Sequence, residues 1–235
     1  MELVQASVSR VEDLTHDVRA IELELLEPRT LTFKPGQFVS FEVPKAGQPR
    51  PVTRPYSIAS PPSQSDRMLL VLNLVPGGPG STYLFSLRKG DRTQFKGPAG
   101  SFYLRDDPTR DLLFVATGTG IAPFLSMIPA QLERASSQSV TLFWGLRSQR
   151  DLYLQDILRG WAHTYSNFSF VTTLSRPETG WEGPIGRVTA LVEQRILTTK
   201  NLAVYVCGGH AMIKDVTKIL NQKGLCPIYR EKYYD

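Results

Sequence analysis

The feature that most constrains this chain is a change of rhythm near residue 103. Before it, Val4–Arg10, Val18–Leu26, Gln37–Val43, Arg54–Ala59 and Arg67–Leu74 form short apolar or alternating runs, punctuated by turn residues such as Pro35-Gly36 and Pro61-Pro62. Only Ser81–Leu87 reads as helical there, opening after the Pro-Gly-Gly-Pro-Gly run at 76–80. From Asp111 the strands become near-continuously apolar, at Asp111–Ala116, Ser139–Trp144, Phe168–Thr173 and Leu202–Cys207, and alternate with helical stretches at 121–134, 151–160, 187–196 and 210–223. The first pattern suits strands with one wet face, the second strands buried on both faces. The expected fold has two domains: an antiparallel β-barrel over 1–103, then a doubly wound α/β parallel sheet over 108–235, with exposed loops at 44–55 and 61–66.

Composition excludes several classes. At 41% hydrophobic and 21% charged residues the chain matches ordinary globular proteins. No run approaches the roughly 18 uncharged apolar residues of a membrane span, and Met1–Arg10 lacks a signal-peptide layout, so a soluble cytoplasmic protein is expected. Cys207 and Cys226 are the two cysteines, fewer than the roughly four thiolates of an iron–sulfur cluster or a Cys-only zinc site. His16, His163 and His210 show neither metal-ligand spacing nor a nucleophile nearby in sequence, so no metal is expected; His210, after Gly209, stays only a site neighbour. The net charge of +5 suits an acidic protein or an anionic ligand as well as it suits a plain solvated surface. Without a Lys/Arg-dense stretch, nucleic acid is not an expected partner.

The first motif with chemistry is Arg54-Pro55-Tyr56-Ser57. Strand alternation sends Arg54 and Tyr56 to one face and Ser57 to the other. A guanidinium meets phosphate oxygens in pairs, and an aromatic face is a stacking platform, although the same four residues also suit an ordinary barrel strand. Gly80-Ser81-Thr82 opens the helix of this half, where free amides attract anions. Gly97-Pro98-Ala99-Gly100-Ser101-Phe102 ends the half in a turn.

The second motif is Thr117-Gly118-Thr119-Gly120-Ile121-Ala122-Pro123, between the first strand and first helix of the parallel half. In doubly wound sheets a dinucleotide lies across the carboxyl ends of the strands, and glycines there let backbone amides approach its pyrophosphate. It is not the G-x-G-x-x-G fingerprint, whose third glycine would stand at Pro123. Tyr205-Val206-Cys207-Gly208-Gly209 closes the last main strand. Taken alone, Cys207 is as well explained as a small core residue.

Together these stretches resemble the ferredoxin-NADP reductase superfamily over nearly the whole chain: the R-P-Y-S flavin motif followed by Ile58-Ala59-Ser60, the G-P-x-G-x-F turn, the G-T-G-I-A-P segment and the Y-x-C-G segment. The resemblance implies a flavoprotein that holds FAD through Arg54, Tyr56, Ser57, Ile58, Leu72, Leu74, Gly80, Ser81 and Thr82. It implies that NAD(P) lies on Thr117, Gly118, Thr119, Gly120 and Pro123, with Cys207 and Gly208 at the nicotinamide and hydride passing to flavin N5 beside Ser57. Arg147, Arg176 with Ser175, and Arg187 fall where the bacterial members contact the ribose phosphate that distinguishes NADPH, so NADP(H) is expected, with NAD(H) as the alternative. The tail Arg230–Asp235 is similar to the family's aromatic terminus, which implies Tyr234 as a flavin lid, Tyr233 as its substitute, and a plain terminal strand as the bland alternative.

The implied activity is electron transfer between NADP(H) and a one-electron carrier, an acidic ferredoxin or flavodoxin. The alternatives are an NADH-dependent reductase component of an oxygenase, or the flavin-bearing subunit of a larger, hydrogenase-type complex.

Overall fold

A computed structural model describes residues 2–45, 47–134 and 136–234, apart from the side chain of Tyr234. The chain divides into two compact units, Met1–Leu104 with Ala122–Ala130, and Arg105–Ile121 with Gln131–Asp235.

The first unit is antiparallel. Its strands are β1 (Glu2–Asp13), β2 (Val18–Glu27), β3 (Phe38–Val43), β4 (Val52–Ser57), β5 (Arg67–Asn73) and β6 (Arg92–Ala99), with helix α1 (Pro79–Ser86) between the last two. They pair in the order β4-β3-β6-β1-β2-β5. A bridge between Ile58 and Leu70 joins the two edge strands and closes the barrel. Alternation fills its core: Val4, Ala6 and Val8 of β1, Ile21 and Leu23 of β2, Phe41 of β3 and Phe95 of β6 are at most 2% exposed. β6 is absent from the sequence reading, because Arg92, Lys96 and Gly97-Pro98 disguise a strand whose buried residues are Thr93, Phe95 and Gly97.

The second unit holds five parallel strands: β7 (Asp111–Thr117), β8 (Val140–Leu146), β9 (Phe168–Leu174), β10 (Leu202–Gly209) and β11 (Ile228–Tyr234). Their order, β11-β10-β7-β8-β9, reverses direction between β7 and β10. Such a reversal opens a crevice at the carboxyl ends of those two strands. Helices α4 (Val188–Arg195) and α5 (His210–Gln222) cover one face, burying Val192, Val216 and Leu220 against Leu113, Val115, Val204 and Val206. Phe114, Trp144 and Tyr205, on the opposite face, are fully buried.

A short 3-10 turn (Gly118–Ile121) leads from β7 into α2 (Ala122–Leu132), whose residues up to Ala130 belong to the first unit. The helix expected at 151–160 begins later, as α3 (Gln155–Thr164) after a 3-10 turn at Gln149–Asp151, because Leu154 stands at φ +55° and interrupts the helical path. The tail residues 228–234 form the edge strand β11, in register with β10. Among the described residues, no helix is long and apolar enough to cross a membrane.

Candidate functional site

In the barrel unit β4, β3 and α1 assemble one cluster. Pairing of β3 with β4 sets Val39 opposite Tyr56 and Phe41 opposite Arg54. Arg54 and Tyr56 are half-buried while Ser57 is buried, as alternation along β4 requires. Gly80 in the first turn of α1 fixes the spacing: a Cβ there would stand 2.5 Å from the Tyr56 hydroxyl and 2.8 Å from Arg54 Cβ. Only glycine lets the helix lie this close to both side chains. The Tyr56 ring is held edge-on to Phe41 at 5.9 Å. Arg54 donates to its neighbour's carbonyl, Thr53 O, at 2.9 Å and has no carboxylate partner among the described residues.

Helix α1 starts with Pro79, which has no N–H, and the Thr82 amide already bonds Gly78 O at 3.0 Å. That leaves the amides of Gly80 and Ser81 in the opening turn, where intrahelical partners do not exist. The Ser81 hydroxyl accepts the Val75 N–H at 3.0 Å, which closes the 75–81 loop, so the chemistry this residue offers is its backbone. Thr82 is exposed, Ile58 is buried in the bridge region, Leu72 lies in the barrel core at 3% exposure, and Leu74 stands exposed past the end of β5. A guanidinium, an aromatic ring and two helix-opening amides converge here, a donor set that fits an aromatic ligand carrying a diphosphate.

In the sheet unit the glycine turn springs from β7 at the reversal point. Gly118, at φ +52°, has nothing within 4 Å of where a Cβ would stand, so the loop is open on that side. Its carbonyl is engaged, accepting Trp144 Nε1–H at 3.0 Å and the Tyr153 hydroxyl at 3.1 Å. Gly120 packs on the end of β10: its Cβ would strike the Cys207 carbonyl and stand 2.7 Å from Cys207 C. Gly208, at φ +149°, lies equally tight against the Thr117 hydroxyl. Thr119 and Pro123 are buried. Thr117, Gly118, Gly120, Cys207 and Gly208 thus form one wall, with an open edge at Gly118 that fits a pyrophosphate.

Cys207 is fully buried, and burial pushes its thiol well above the usual range. The Glu231 carboxylate, its register partner on β11, acts in the same direction, while a hydrogen bond with Tyr233 pulls the other way. The thiol is therefore a neutral, compact surface rather than a nucleophile. Sequence reading missed Glu231, because only strand register puts it beside Cys207. Tyr234 ends β11, but its side chain, like all of Asp235, lies outside the described residues.

Arg147, Ser175 and Arg176 cap the ends of β8 and β9 and are exposed; the Arg176 amide donates to Arg147 O at 2.7 Å, which joins the two loops. Arg187 precedes α4, next to Gly186, whose amide donates to Leu174 O at 2.8 Å. None of the three guanidinium groups pairs with a carboxylate among the described residues.

Residues 5–103 match the oxidoreductase FAD-binding domain family and residues 114–218 the oxidoreductase NAD-binding domain family. The chain is 33% identical over 232 residues to the electron transfer component of toluate 1,2-dioxygenase from Pseudomonas putida, covering 97% of this chain and 67% of that protein. It is 32% identical over 221 residues to ferredoxin--NADP reductase B of Sorangium cellulosum, covering 92% and 90%. Among solved structures, the Amycolatopsis cytochrome P450 reductase GcoB superposes with a TM-score of 0.90 at 28% identity, over 100% of this chain and 70% of that one.

Proposed function

Because the chain belongs to the ferredoxin-NADP reductase superfamily of flavoprotein oxidoreductases, we propose that it draws electrons from NADPH and delivers them singly to an acidic ferredoxin or flavodoxin in the cytoplasm. The boundaries we assign are 1–103 for the flavin-binding domain and 108–235 for the nucleotide-binding domain. Bound there, FAD supplies the chemistry that side chains lack, taking up an electron pair and giving up single electrons.

The polypeptide's part is holding and placing. Arg54 and the amides of Gly80 and Ser81 would take the diphosphate of the flavin, Tyr56 would stack on its ring, and Ser57 would meet its reacting edge. Thr117–Gly120 and Gly208 would take the diphosphate of the nicotinamide dinucleotide, with Cys207 as the apolar wall beside its ring. Tyr234, or Tyr233 in its place, would cover the flavin face. Bringing two reactants into register accounts for most of the rate such a protein contributes.

One observation carries the preference for NADPH: Arg147, Arg176 and Arg187 stand at the ends of β8 and β9 and the start of α4 without a carboxylate partner among the described residues. An extra phosphate of nearly two charges is what such a set recognises. We expect kcat/KM to favour NADPH over NADH. Arg176→Ala is expected to lower kcat/KM for NADPH by about 10-fold, the scale of one charge-assisted hydrogen bond, with little effect on NADH. A wild-type preference for NADH would overturn this assignment.

That outcome would favour the second reading, the reductase component of an oxygenase system. Its support is that relatives such as the toluate 1,2-dioxygenase electron transfer component and a naphthalene 1,2-dioxygenase reductase component carry those names. With two cysteines in 235 residues, the one-electron acceptor in either reading lies outside this sequence.

A further inference from the structure

We infer that Trp144 and Tyr153 are positioning residues for the nicotinamide dinucleotide: together they clamp the Gly118 carbonyl and so preset the loop that receives its diphosphate. The inference rests on the reading of Thr117–Gly120 as that loop. Glycine at φ +52° has little conformational preference of its own, so the geometry of this turn has to be imposed from outside.

Two donors impose it. Trp144 Nε1–H and the Tyr153 hydroxyl both reach Gly118 O, at 3.0 and 3.1 Å. The peptide is planar and trans, so fixing the carbonyl also fixes the opposite direction of the following N–H, that of Thr119. The side of Gly118 where a Cβ would stand remains open.

The clamp itself is rigid. Trp144 is fully buried on β8, in register with Ala116 on the strand that leads into the loop. Tyr153 is 6% exposed and meets the Trp144 ring edge-to-face at 4.8 Å.

A local irregularity accompanies it. The residue after Tyr153 is Leu154, at φ +55°, in a left-handed conformation that leucine rarely adopts. Neither residue is within a regular helix, since the 3-10 turn ends at Asp151 and α3 begins at Gln155. Such a conformation persists where the surrounding structure holds it, here at the break between the 3-10 turn and α3 that Tyr153 also occupies.

The test uses the FAD-loaded protein and Tyr153→Phe, which keeps the ring and its packing but removes the hydroxyl. Binding of NADP+ by calorimetry, KM and kcat with NADPH, flavin content and Tm are measured together. We expect the dissociation constant and KM to rise about 3- to 10-fold, the scale of one net hydrogen bond, with kcat at saturation and flavin content unchanged and Tm lower by about 2–4 °C. Trp144→Phe should shift NADP+ affinity in the same direction. Wild-type affinity in Tyr153→Phe would overturn the clamp, as would a loss of flavin parallel to the loss of NADP+ binding. Failure of the wild-type protein to bind either NADP+ or NAD+ would instead overturn the site reading and the clamp with it.

Discussion

Gly120→Ala puts the contact between the glycine turn and β10 under the most direct strain. A methyl at this position would stand 2.7 Å from Cys207 C and 3.0 Å from Gly208 N, with the Cys207 carbonyl oxygen nearer still. Carbon contacts normally lie at about 3.5–4.0 Å, so the turn and the strand end must separate by about 1 Å. All three obstacles are backbone atoms, so no rotamer change relieves the clash. Backbone strain is not a factor, since Gly120 is not among the positive-φ residues, and alanine propensity on its own would favour the variant by about 1 kcal/mol. Overpacking costs about 1–3 kcal/mol, which outweighs that gain and leaves a net loss of up to about 2 kcal/mol, or about 4–8 °C in Tm. A displacement of about 1 Å at a reacting site costs on the order of 100-fold in rate. The assay is anaerobic stopped-flow bleaching of flavin absorbance by NADPH, together with thermal unfolding. Gly160→Ala in α3, where a Cβ meets nothing within 4 Å, is the control and should be neutral or slightly stabilising. If Gly120→Ala matches the wild type in both Tm and bleaching rate, the turn does not rest on β10 as described.

Three further outcomes are expected. Gly80→Ala pushes against the Tyr56 hydroxyl and against Arg54 Cβ, which is fixed to the β4 backbone, so α1 must shift; stability should fall by about 1–3 kcal/mol and the FAD content of the purified protein with it, and full flavin loading would refute the Arg54–Tyr56–Gly80 cluster as the flavin contact. The Cys207 thiol is held protonated above its usual 9.0, so above that pH the unfolded chain gives up a proton the folded one keeps; urea-unfolding stability should hold below pH 9 and then decline by up to about 1.4 kcal/mol per pH unit, with Tyr205, raised from 10.0 to about 12, adding the same sign above pH 10. Cys207→Ala should lessen the first part of that decline, the remainder coming from Cys226, whose thiol burial also pushes up, and an unchanged profile would refute the assignment. Because Cys226 is only part-buried, a thiol reagent should label it in the folded protein while Cys207 stays unlabelled until denaturant is added.

The sequence was legible where a physical requirement is local. Alternation in β1 and β2 and continuous apolar runs in β7, β8 and β10 follow from which strand faces are buried, and Gly118, at φ +52°, answers a local backbone demand. β6 was not legible, because its charged and Gly-Pro residues hide a strand whose pairing with β1 and β3 is what holds it. The start of α3 was displaced because nothing local announces a left-handed Leu154.

By itself, then, the sequence determined two kinds of folding unit, the Arg54–Ser57 and Thr117–Pro123 motifs, and the family they resemble, since each depends on neighbours along the chain. Tertiary structure alone decided the strand order β11-β10-β7-β8-β9 that puts the glycine turn beside Cys207, the register that sets Glu231 opposite that cysteine, and the meeting of Trp144 and Tyr153 on one carbonyl. These relations join residues between 9 and 87 positions apart along the chain. Pairing free energy at that range comes from the packed sheet as a whole, and no local pattern encodes which partner is met.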